Sequence, residues 1–328
     1  MKIAFFGTKP YDRIWFEPVS MDYGYEISFL ESRLNIKTVS LAKGYDAVCV
    51  FVNDEVDKGV IKKLSEFGTK AVLLGCAGFN NVDLHQAAKS GIRVLRVPGY
   101  SPEAVAEFAM GMLLAVNRQI HRAYLRTREF NMNIHGLMGV DLYNKVVGII
   151  GTGKIGQAMI RICKGFGMHV LAYDLYPSSE SDVEYVEPDE LFKRADVITL
   201  HCPLTRQTKY MIDKSSLDKM KKGVYIINTS RGELIKTKDL IDALLIKGKI
   251  GGVGMDVYEE EDGVFYEDRS NDIVDDIMLA RLLTFPNVLI TSHQGYFTYE
   301  ALQAICIETM ENAYVIENNL NSANEVRE

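Results

Sequence analysis

Short apolar runs alternate along the chain with longer stretches in which apolar residues recur every three or four positions. The first pattern predicts strands and the second predicts helices. Strands are predicted at 2–7, 45–52, 70–76, 92–97, 145–151, 168–174, 196–202, 223–230, 251–257 and 287–293. Strands that alternate with helices favour parallel sheets covered on both faces, so we expect an α/β fold with doubly wound parallel sheets.

The predicted strands form two series separated by a long helical stretch from about Pro102 to Glu129. That stretch opens with Ser101 as a cap and a proline in the first turn. We therefore place a domain boundary at residues 98–100. A last helical stretch runs from Thr298 to about Asn318. It can either close the second domain or return to the first.

The composition narrows the class of protein. A chain of 328 residues that is 47% hydrophobic can bury a large core and fits two domains better than one. Its net charge of −7 argues against nucleic acid or an anionic membrane as the main partner. No signal peptide or span of about 18 apolar residues is evident. The five scattered cysteines form no CxxC pair, which predicts a reduced, cytoplasmic protein without structural zinc.

A glycine-rich segment, GTGKIG, follows a predicted strand and precedes a predicted helix at residues 151–156. In this context Gly151 permits a tight turn, Gly153 lets the backbone approach a pyrophosphate, and Gly156 lets the helix pack on the strand. Asp174 ends the next strand, where a carboxylate can bind the adenosine ribose and repel a 2′-phosphate. The second series is therefore the nucleotide domain, and we expect NAD as its cofactor in preference to NADP.

Three ionisable residues follow predicted strands of the same series: Arg231, Glu261 and His293. Ligands of open α/β sheets bind at the carboxyl ends of the strands, so these side chains are candidates for one site. Arginine can bind a carboxylate and polarise a keto oxygen, histidine can donate a proton, and glutamate can hold the imidazole. The combination predicts hydride transfer between the nicotinamide and a small 2-keto or 2-hydroxy acid.

The chain resembles the D-isomer-specific 2-hydroxyacid dehydrogenase family, and most closely its D-lactate dehydrogenase branch. The resemblance extends from about residue 45 to 300. The matching segments are AGFNNVD (77–83), GYSPEAVAEFA (99–109), GTGKIGQ (151–157), HCPLT (201–205), NTSRGELI (228–235), GMDVYEEE (254–261) and SHQGYFT (292–298).

This resemblance implies a flavodoxin-like substrate domain of residues 1–99 and 298–328 and a Rossmann NAD-binding domain of residues 100–297. It also implies a homodimer formed through the nucleotide domains, with pyruvate and D-lactate as the reactant pair. Two alternatives stay open. One is a dehydrogenase for a larger 2-keto acid such as 2-ketoisocaproate, and the other is an NAD-sensing binding protein of the same fold without turnover.

The resemblance also implies a role for individual residues. Arg231 would clamp the substrate, Glu261 would partner the histidine, and His293 would act as acid/base. The substrate would further meet the backbone N–H groups of Ala77 and Gly78 and the side chains of Tyr100 and Tyr296. The cofactor would contact Gly151, Gly153, Lys154, Ile155, Gly156, Asp174, Cys202, Pro203, Thr208, Thr229, Ser230, Arg231 and Asp256.

Two features of the match bear on these assignments. The acidic run allows a register slip, in which Glu259 or Glu260 takes the place of Glu261. Tyr296 stands where lactate dehydrogenases of the family often have phenylalanine, and Gly295 stands where they often have alanine. A phenol at position 296 can bind a polar substrate tail or fill the same space.

Overall fold

The structure is a computed structural model that describes residues 1–178 and 182–327. The chain divides into two compact units. The first contains Met1–Ser101 and Phe297–Glu328, and the second contains Pro102–Tyr296. The observed divisions therefore lie at Ser101/Pro102 and Tyr296/Phe297, whereas the sequence placed them at 99/100 and 297/298. The last helical stretch returns to the first unit.

The first unit is built on a parallel sheet that has five strands within the described residues. The strands are β1 (Lys2–Phe5), β2 (Glu26–Phe29), β3 (Ala47–Val50), β4 (Ala71–Leu74) and β5 (Arg93–Arg96). Their order, β2-β1-β3-β4-β5, is the flavodoxin-like order. The helices are α1 (Pro10–Asp22), α2 (Lys58–Glu66), α3 (Leu84–Lys89) and α11 (Tyr299–Glu317). The central strands β3 and β4 are fully buried, which explains their uninterrupted apolar sequences.

The second unit contains a parallel sheet with seven strands in the part of the chain described. The strands are β6 (Val146–Ile150), β7 (His169–Tyr173), β8 (Glu184–Tyr185), β9 (Val197–Leu200), β10 (Val224–Asn228), β11 (Ile250–Met255) and β12 (Val288–Ile290). The order β12-β11-β10-β9-β6-β7-β8 reverses between β6 and β9, as in a Rossmann domain. The helices are α4 (Pro102–Asn117), α5 (Ile120–Arg128), α6 (Lys154–Gly165), α7 (Pro188–Arg194), α8 (Lys214–Lys219), α9 (Thr237–Leu245) and α10 (Ile277–Leu283).

The α/β prediction with two doubly wound parallel sheets is confirmed, and the helical stretch predicted from about Pro102 to Glu129 consists of two helices, α4 and α5. Helix α4 ends at Asn117, and Gln119 has a φ of +54°, a conformation that a right-handed helix cannot continue. The buried Asn117 amide exchanges two hydrogen bonds with the backbone of Val140, at 2.8 and 2.9 Å. This long-range contact fixes the end of α4 to the segment that precedes β6. No helix among the described residues is long and apolar enough to cross a bilayer.

Candidate active site

The turn between β6 and α6 has no room for a side chain at its first and last glycine. Gly151 has a φ of +91°, and a Cβ added there would lie 2.5 Å from the Cys202 backbone nitrogen. A Cβ added to Gly156 would lie 2.0 Å from the Gly151 carbonyl oxygen. Gly153, between them, faces open space. The turn therefore packs tightly against the sheet below and leaves its outer side accessible.

Helix α6 begins at this turn without a side-chain cap, because Gly153 is its N-cap residue. The first backbone N–H groups of the helix, including those of Lys154 and Ile155, are therefore free of a side-chain cap. They lie at the positive end of the helix dipole, where an anion can bind. Lys154 is exposed and Ile155 is half-buried. An open cavity of about 640 Å³ adjoins the turn and is lined by Pro102, Glu103, Thr152, Gly153, Lys154, Gln157, Arg161 and Ser178.

Asp174 follows β7 and is held against the same turn. Its carboxylate accepts hydrogen bonds from the Thr152 backbone (2.6 Å), the Thr152 hydroxyl (3.0 Å) and the Tyr176 backbone (2.9 Å). Burial acts to raise the pKa of Asp174, but these hydrogen bonds outweigh it and leave the pKa lowered. The carboxylate is therefore charged at neutral pH and fixed in position. Thr152, an unspecified position of the glycine pattern, was not predicted from the sequence.

Side-chain hydrogen bonds link the ends of the neighbouring strands β9 and β10 and stabilise the segment that follows β9. The Ser230 hydroxyl donates to the Cys202 carbonyl, and the Thr208 hydroxyl donates to the Pro203 carbonyl, both at 2.6 Å. Cys202 is buried, and burial raises the pKa of its thiol to about 12, which suits a packing residue rather than a nucleophile.

Two polar atoms at these strand ends are buried without a hydrogen-bond partner among the described residues: His201 Nδ1 and Thr229 Oγ1. They belong to neighbouring positions, because Leu200 and Asn228 are directly paired across β9 and β10. Buried polar atoms normally have partners, so adjacent exceptions at the carboxyl edge of a nucleotide sheet indicate a ligand site. Thr229 was expected there from the sequence, whereas His201 was not.

A histidine–glutamate pair follows β11 and β12. His293 Nδ1 lies 2.9 Å from Glu261 Oε1, and the two side chains are 18% and 22% exposed. The second oxygen of Glu261 accepts a hydrogen bond from the Tyr258 backbone at 3.1 Å. Of the alternatives in the acidic run, Glu259 accepts hydrogen bonds from the Tyr210 hydroxyl and the Thr237 backbone, and Glu260 is exposed. Glu261 is therefore the glutamate of this run whose carboxylate contacts the imidazole.

The backbone of His293 has a φ of +56°, which is uncommon for a non-glycine residue. Its N–H donates to the Asp256 carbonyl at 2.7 Å, and its carbonyl accepts from the Tyr266 hydroxyl at 2.9 Å. The Asp256 carboxylate, 1% exposed, accepts from the Thr291 hydroxyl and the Gly295 backbone at 2.5 and 2.7 Å. Asp256 thus fixes the loop that carries His293. Tyr266 was missed because no sequence pattern links it to the histidine.

Arg231 follows β10 and is half-buried. Its Nη1 donates to the Ser230 carbonyl at 2.7 Å, and its own carbonyl accepts from the Asn228 side chain at 2.8 Å. None of the salt bridges within the described ranges includes this guanidinium. It therefore retains donors for an anion. Tyr296, 7% exposed, ends the second unit.

Three other residues expected at the substrate lie in the first unit. Ala77 and Gly78 follow β4, and both are half-buried. The Ala77 carbonyl accepts a hydrogen bond from Arg96 at 2.9 Å, and the Gly78 carbonyl accepts one from the Cys76 thiol at 3.3 Å. Tyr100 is half-buried and follows β5.

Residues 110–295 match the family described as D-isomer specific 2-hydroxyacid dehydrogenase, NAD binding domain. The chain belongs to the D-isomer specific 2-hydroxyacid dehydrogenase family. It is 48% identical to the D-lactate dehydrogenase of Escherichia coli (strain K12). The alignment extends over 329 residues and covers 99% of this chain and 100% of the relative. It is 50% identical to 2-hydroxyacid dehydrogenase homolog 1 of Schizosaccharomyces pombe, with 97% and 98% covered.

Solved structures agree with this membership. The apo-structure of D-lactate dehydrogenase from Escherichia coli is 46% identical, with a TM-score of 0.90 and 99% and 100% of the two chains covered. A structure of the pyruvate reductase of Chlamydomonas reinhardtii is 42% identical, with a TM-score of 0.92 and 99% and 98% covered.

NAD, the cofactor of the family's NAD-binding domain, fits the residues present in the second unit. The tight glycine turn at Gly151 and Gly156, the uncapped start of α6 and the charged Asp174 suit a pyrophosphate and a ribose. The buried, unpartnered Thr229 hydroxyl is available to the same ligand. The NAD-dependent dehydrogenase expected from the sequence is confirmed at the level of the family.

Proposed function

We propose that the protein is an NAD-dependent D-lactate dehydrogenase that reduces pyruvate to D-lactate and catalyses the reverse oxidation. The observation that carries this proposal is the hydrogen-bonded pair of His293 and Glu261 in the unit that holds the dinucleotide turn. Arg231, which has no salt-bridge partner among the described residues, supplies the anion-binding group. The substrate and its handedness are proposed from relatives named D-lactate dehydrogenase and pyruvate reductase.

Bound NADH supplies the hydride that adds to the keto carbon. The N–H groups at the start of α6, from Lys154 and Ile155, would bind the pyrophosphate, and Asp174 would accept hydrogen bonds from the ribose. Further contacts to the cofactor would come from Cys202, Pro203, Thr208, Thr229, Ser230 and Arg231. Asp256, directly after β11, would approach the nicotinamide, and its carboxylate fixes the loop that carries His293.

In the proposed reaction Arg231 binds the pyruvate carboxylate and polarises the keto oxygen through its planar fork of donors. Because Glu261 contacts Nδ1 of His293, the opposite nitrogen, Nε2, is the one that gives its proton to the forming alkoxide. Glu261 stabilises the positive charge that the imidazole carries before this transfer. The first unit, which we propose to be the substrate domain, contributes the N–H groups of Ala77 and Gly78 and the Tyr100 hydroxyl.

The decisive assay is NADH consumption with pyruvate, followed by chiral analysis of the lactate formed. We expect turnover and D-lactate. A higher kcat/KM for 2-ketoisocaproate would identify a dehydrogenase for larger keto acids, for which Tyr296 would be the first residue to vary. NADH binding without turnover on any 2-keto acid would identify an NAD-sensing protein and overturn the proposal.

Asp174 should make the enzyme prefer NADH over NADPH. A 2′-phosphate placed beside this fixed, charged carboxylate would lack a partner cation, so kcat/KM should favour NADH by about a hundredfold or more. Asp174→Ala should weaken NADH binding and narrow the preference. Asp182→Ala, which removes an exposed carboxylate that pairs with Lys164 near the end of α6, is the control and should leave the preference unchanged. Equal kcat/KM for the two cofactors in the wild type would contradict this role.

Glu261→Gln should lower kcat for pyruvate reduction by about a hundredfold. The corresponding change in a serine protease triad lowers kcat by ~10⁴-fold, and we expect a smaller loss here because the His293–Glu261 pair is partly exposed. The amide keeps the shape but removes the charge that stabilises the imidazolium. The matched control is Glu260→Gln, which neutralises the adjacent exposed carboxylate and should keep the wild-type kcat. If the two variants have the same kcat, Glu261 is not the partner of His293.

We further propose a homodimer formed through α5 and the segment 130–143 of the NAD-binding domain. Apolar side chains there are widely exposed: Phe130 (89%), Met132 (67%), Ile134 (82%) and Met138 (94%). Several exposed apolar residues within one short segment are typical of protein–protein interfaces. Burial of all five cysteines without a disulfide supports a reducing compartment, which we propose to be the cytoplasm.

Sedimentation velocity tests the dimer. The wild type should sediment as a dimer, and the double variant Phe130→Asp/Met138→Glu should sediment as a monomer. Ile14→Asp, which places a charge on an exposed apolar site of the first unit, is the control and should remain dimeric. A monomeric wild type, or a double variant that stays dimeric, would refute this interface.

A further inference from the structure

Arg96, the last residue of β5, is attached to the loop that follows β4. Its Nη1 donates a hydrogen bond to the Ala77 carbonyl at 2.9 Å. Its guanidinium carbon also lies 5.2 Å from the centre of the Phe79 ring, within the range of a cation–π contact. One side chain therefore holds the loop at two points on either side of Gly78.

The backbone of Arg96 is itself fixed from the C-terminal tail and α11. Its N–H donates to the Asn324 carbonyl at 3.1 Å, and its carbonyl accepts from the Asn312 side chain at 2.9 Å. The tail continues along the edge of the strand, where the Val326 N–H donates to the Val94 carbonyl at 2.8 Å. The N–H and the carbonyl of Arg96 are thus both hydrogen-bonded, so its side chain extends from a fixed strand end.

The hydrogen bond from Arg96 acts on the peptide group that carries the Gly78 N–H. The Ala77 carbonyl and the Gly78 N–H belong to the same peptide unit, which is trans, so they point in opposite directions. A guanidinium on the carbonyl side therefore directs the N–H away from Arg96. It also withdraws electron density from the amide, which makes the N–H a stronger donor.

We propose that Arg96 is a positioning residue that orients and polarises the Gly78 amide for the carboxylate of a 2-keto acid. This inference rests on the proposed function, in which the Gly78 N–H binds that carboxylate. Arg96 itself does not contact the substrate, and it affects substrate binding through the peptide group between Ala77 and Gly78. The positive charge lies behind the amide, so the peptide dipole is aligned between the guanidinium and the anion.

Arg93 provides a matched control on the same strand. Its guanidinium donates to both Glu325 oxygens, at 3.2 and 2.9 Å, and to the Leu320 carbonyl at 2.8 Å. It therefore ties β5 to the C-terminal tail without contacting the loop after β4. Replacing Arg93 removes a similar charge and a similar set of hydrogen bonds, so a purely structural effect should appear in both variants.

The kinetic test compares Arg96→Gln, Arg96→Lys and Arg93→Gln with the wild type. Arg96→Gln should raise the KM for pyruvate and the Ki of oxamate by about tenfold, the scale of losing one charge-assisted hydrogen bond, with kcat changed less than about threefold. Arg96→Lys should show a smaller rise, because an ammonium can reach the carbonyl but lacks the planar fork. Arg93→Gln should lower the melting temperature and leave KM and Ki unchanged.

A spectroscopic test reads the peptide directly, without turnover. Residues 77–78 are the only Ala–Gly pair in the sequence, so protein labelled with carbonyl-¹³C alanine and ¹⁵N glycine should give a single HNCO peak. That peak should move in both the carbonyl and the nitrogen dimension in Arg96→Gln and stay in place in Arg93→Gln. In the wild type it should also move when oxamate is added to the NADH complex, and this movement should require a higher oxamate concentration in Arg96→Gln.

The outcomes separate this inference from the proposed function. A wild type that reduces no 2-keto acid would remove the proposed function, whereas an active wild type with equal KM values in Arg96→Gln and Arg93→Gln would overturn the role of Arg96 alone. An HNCO peak that does not respond to Arg96→Gln would also overturn it. If Arg96→Gln does not fold, Arg96→Lys decides, because an unchanged KM and an unchanged peak in that variant would contradict the inference.

Discussion

Replacing His293 with alanine should lower kcat/KM for pyruvate reduction by about 10²- to 10⁴-fold, the usual contribution of a general acid. The imidazole is held at Nδ1 by Glu261, and its backbone is fixed by Asp256 and Tyr266, so its position leaves Nε2 to donate the proton. The affinity for NADH should change little, because the dinucleotide turn lies on other strands. Stopped-flow reduction and NADH fluorescence titration measure the two quantities.

Two further variants separate chemistry from backbone strain. His293 has a φ of +56°, so alanine is strained there, whereas asparagine tolerates this region well. His293→Asn should therefore fold like the wild type and still lose the same rate. His169→Ala, at the exposed start of β7, should retain full activity. An active His293→Asn would remove His293 from the proposed mechanism.

The sequence predicted the central strands because they are buried on both faces. Strands such as β3 and β4 have apolar residues at every position, and this signal does not depend on the neighbouring elements. The two strands that it missed, β2 and β8, lie at sheet edges. The first is exposed or half-buried throughout, and the second contains two residues. Neither burial nor length gives such strands a recognisable pattern.

The helix break at Gln119 had no local signal either. Residues on both sides favour a helix, and the break coincides with a contact between Asn117 and Val140, which are far apart in the sequence. Tertiary contacts of this kind override helix propensity.

The candidate site shows the same division between local and long-range information. The glycine turn and Asp174 could be predicted because each position has a backbone or charge requirement that the strand–turn–helix context defines. The sequence favoured Glu261 as the partner of His293 and left Glu259 and Glu260 as alternatives, since the distance between side chains decides among three consecutive glutamates. Thr152 and Tyr266 carry no sequence signal, because a hydroxyl becomes informative only when its acceptor is known.

Arg231→Lys should lower kcat/KM for pyruvate by about a hundredfold or more, the scale of losing one preorganised donor in an active site. The Arg231 guanidinium donates one hydrogen bond to the Ser230 carbonyl, and its other N–H groups are left for the substrate. A lysine ammonium is a point charge on a flexible chain and cannot bind a carboxylate and a keto oxygen as a planar fork. NADH affinity should stay near the wild-type value.

The matched control for this prediction is Arg194→Lys. Arg194 binds both Glu184 oxygens, at 2.6 and 3.0 Å, so it is also a fork-bonded arginine of the second unit, but it lies on the surface next to β8. Because exposed ion pairs contribute little, this variant should keep wild-type kinetics. Steady-state rates with pyruvate and an NADH titration of both variants decide the question. A near-normal rate in Arg231→Lys would show that the arginine supports the loop after β10 and does not bind the substrate.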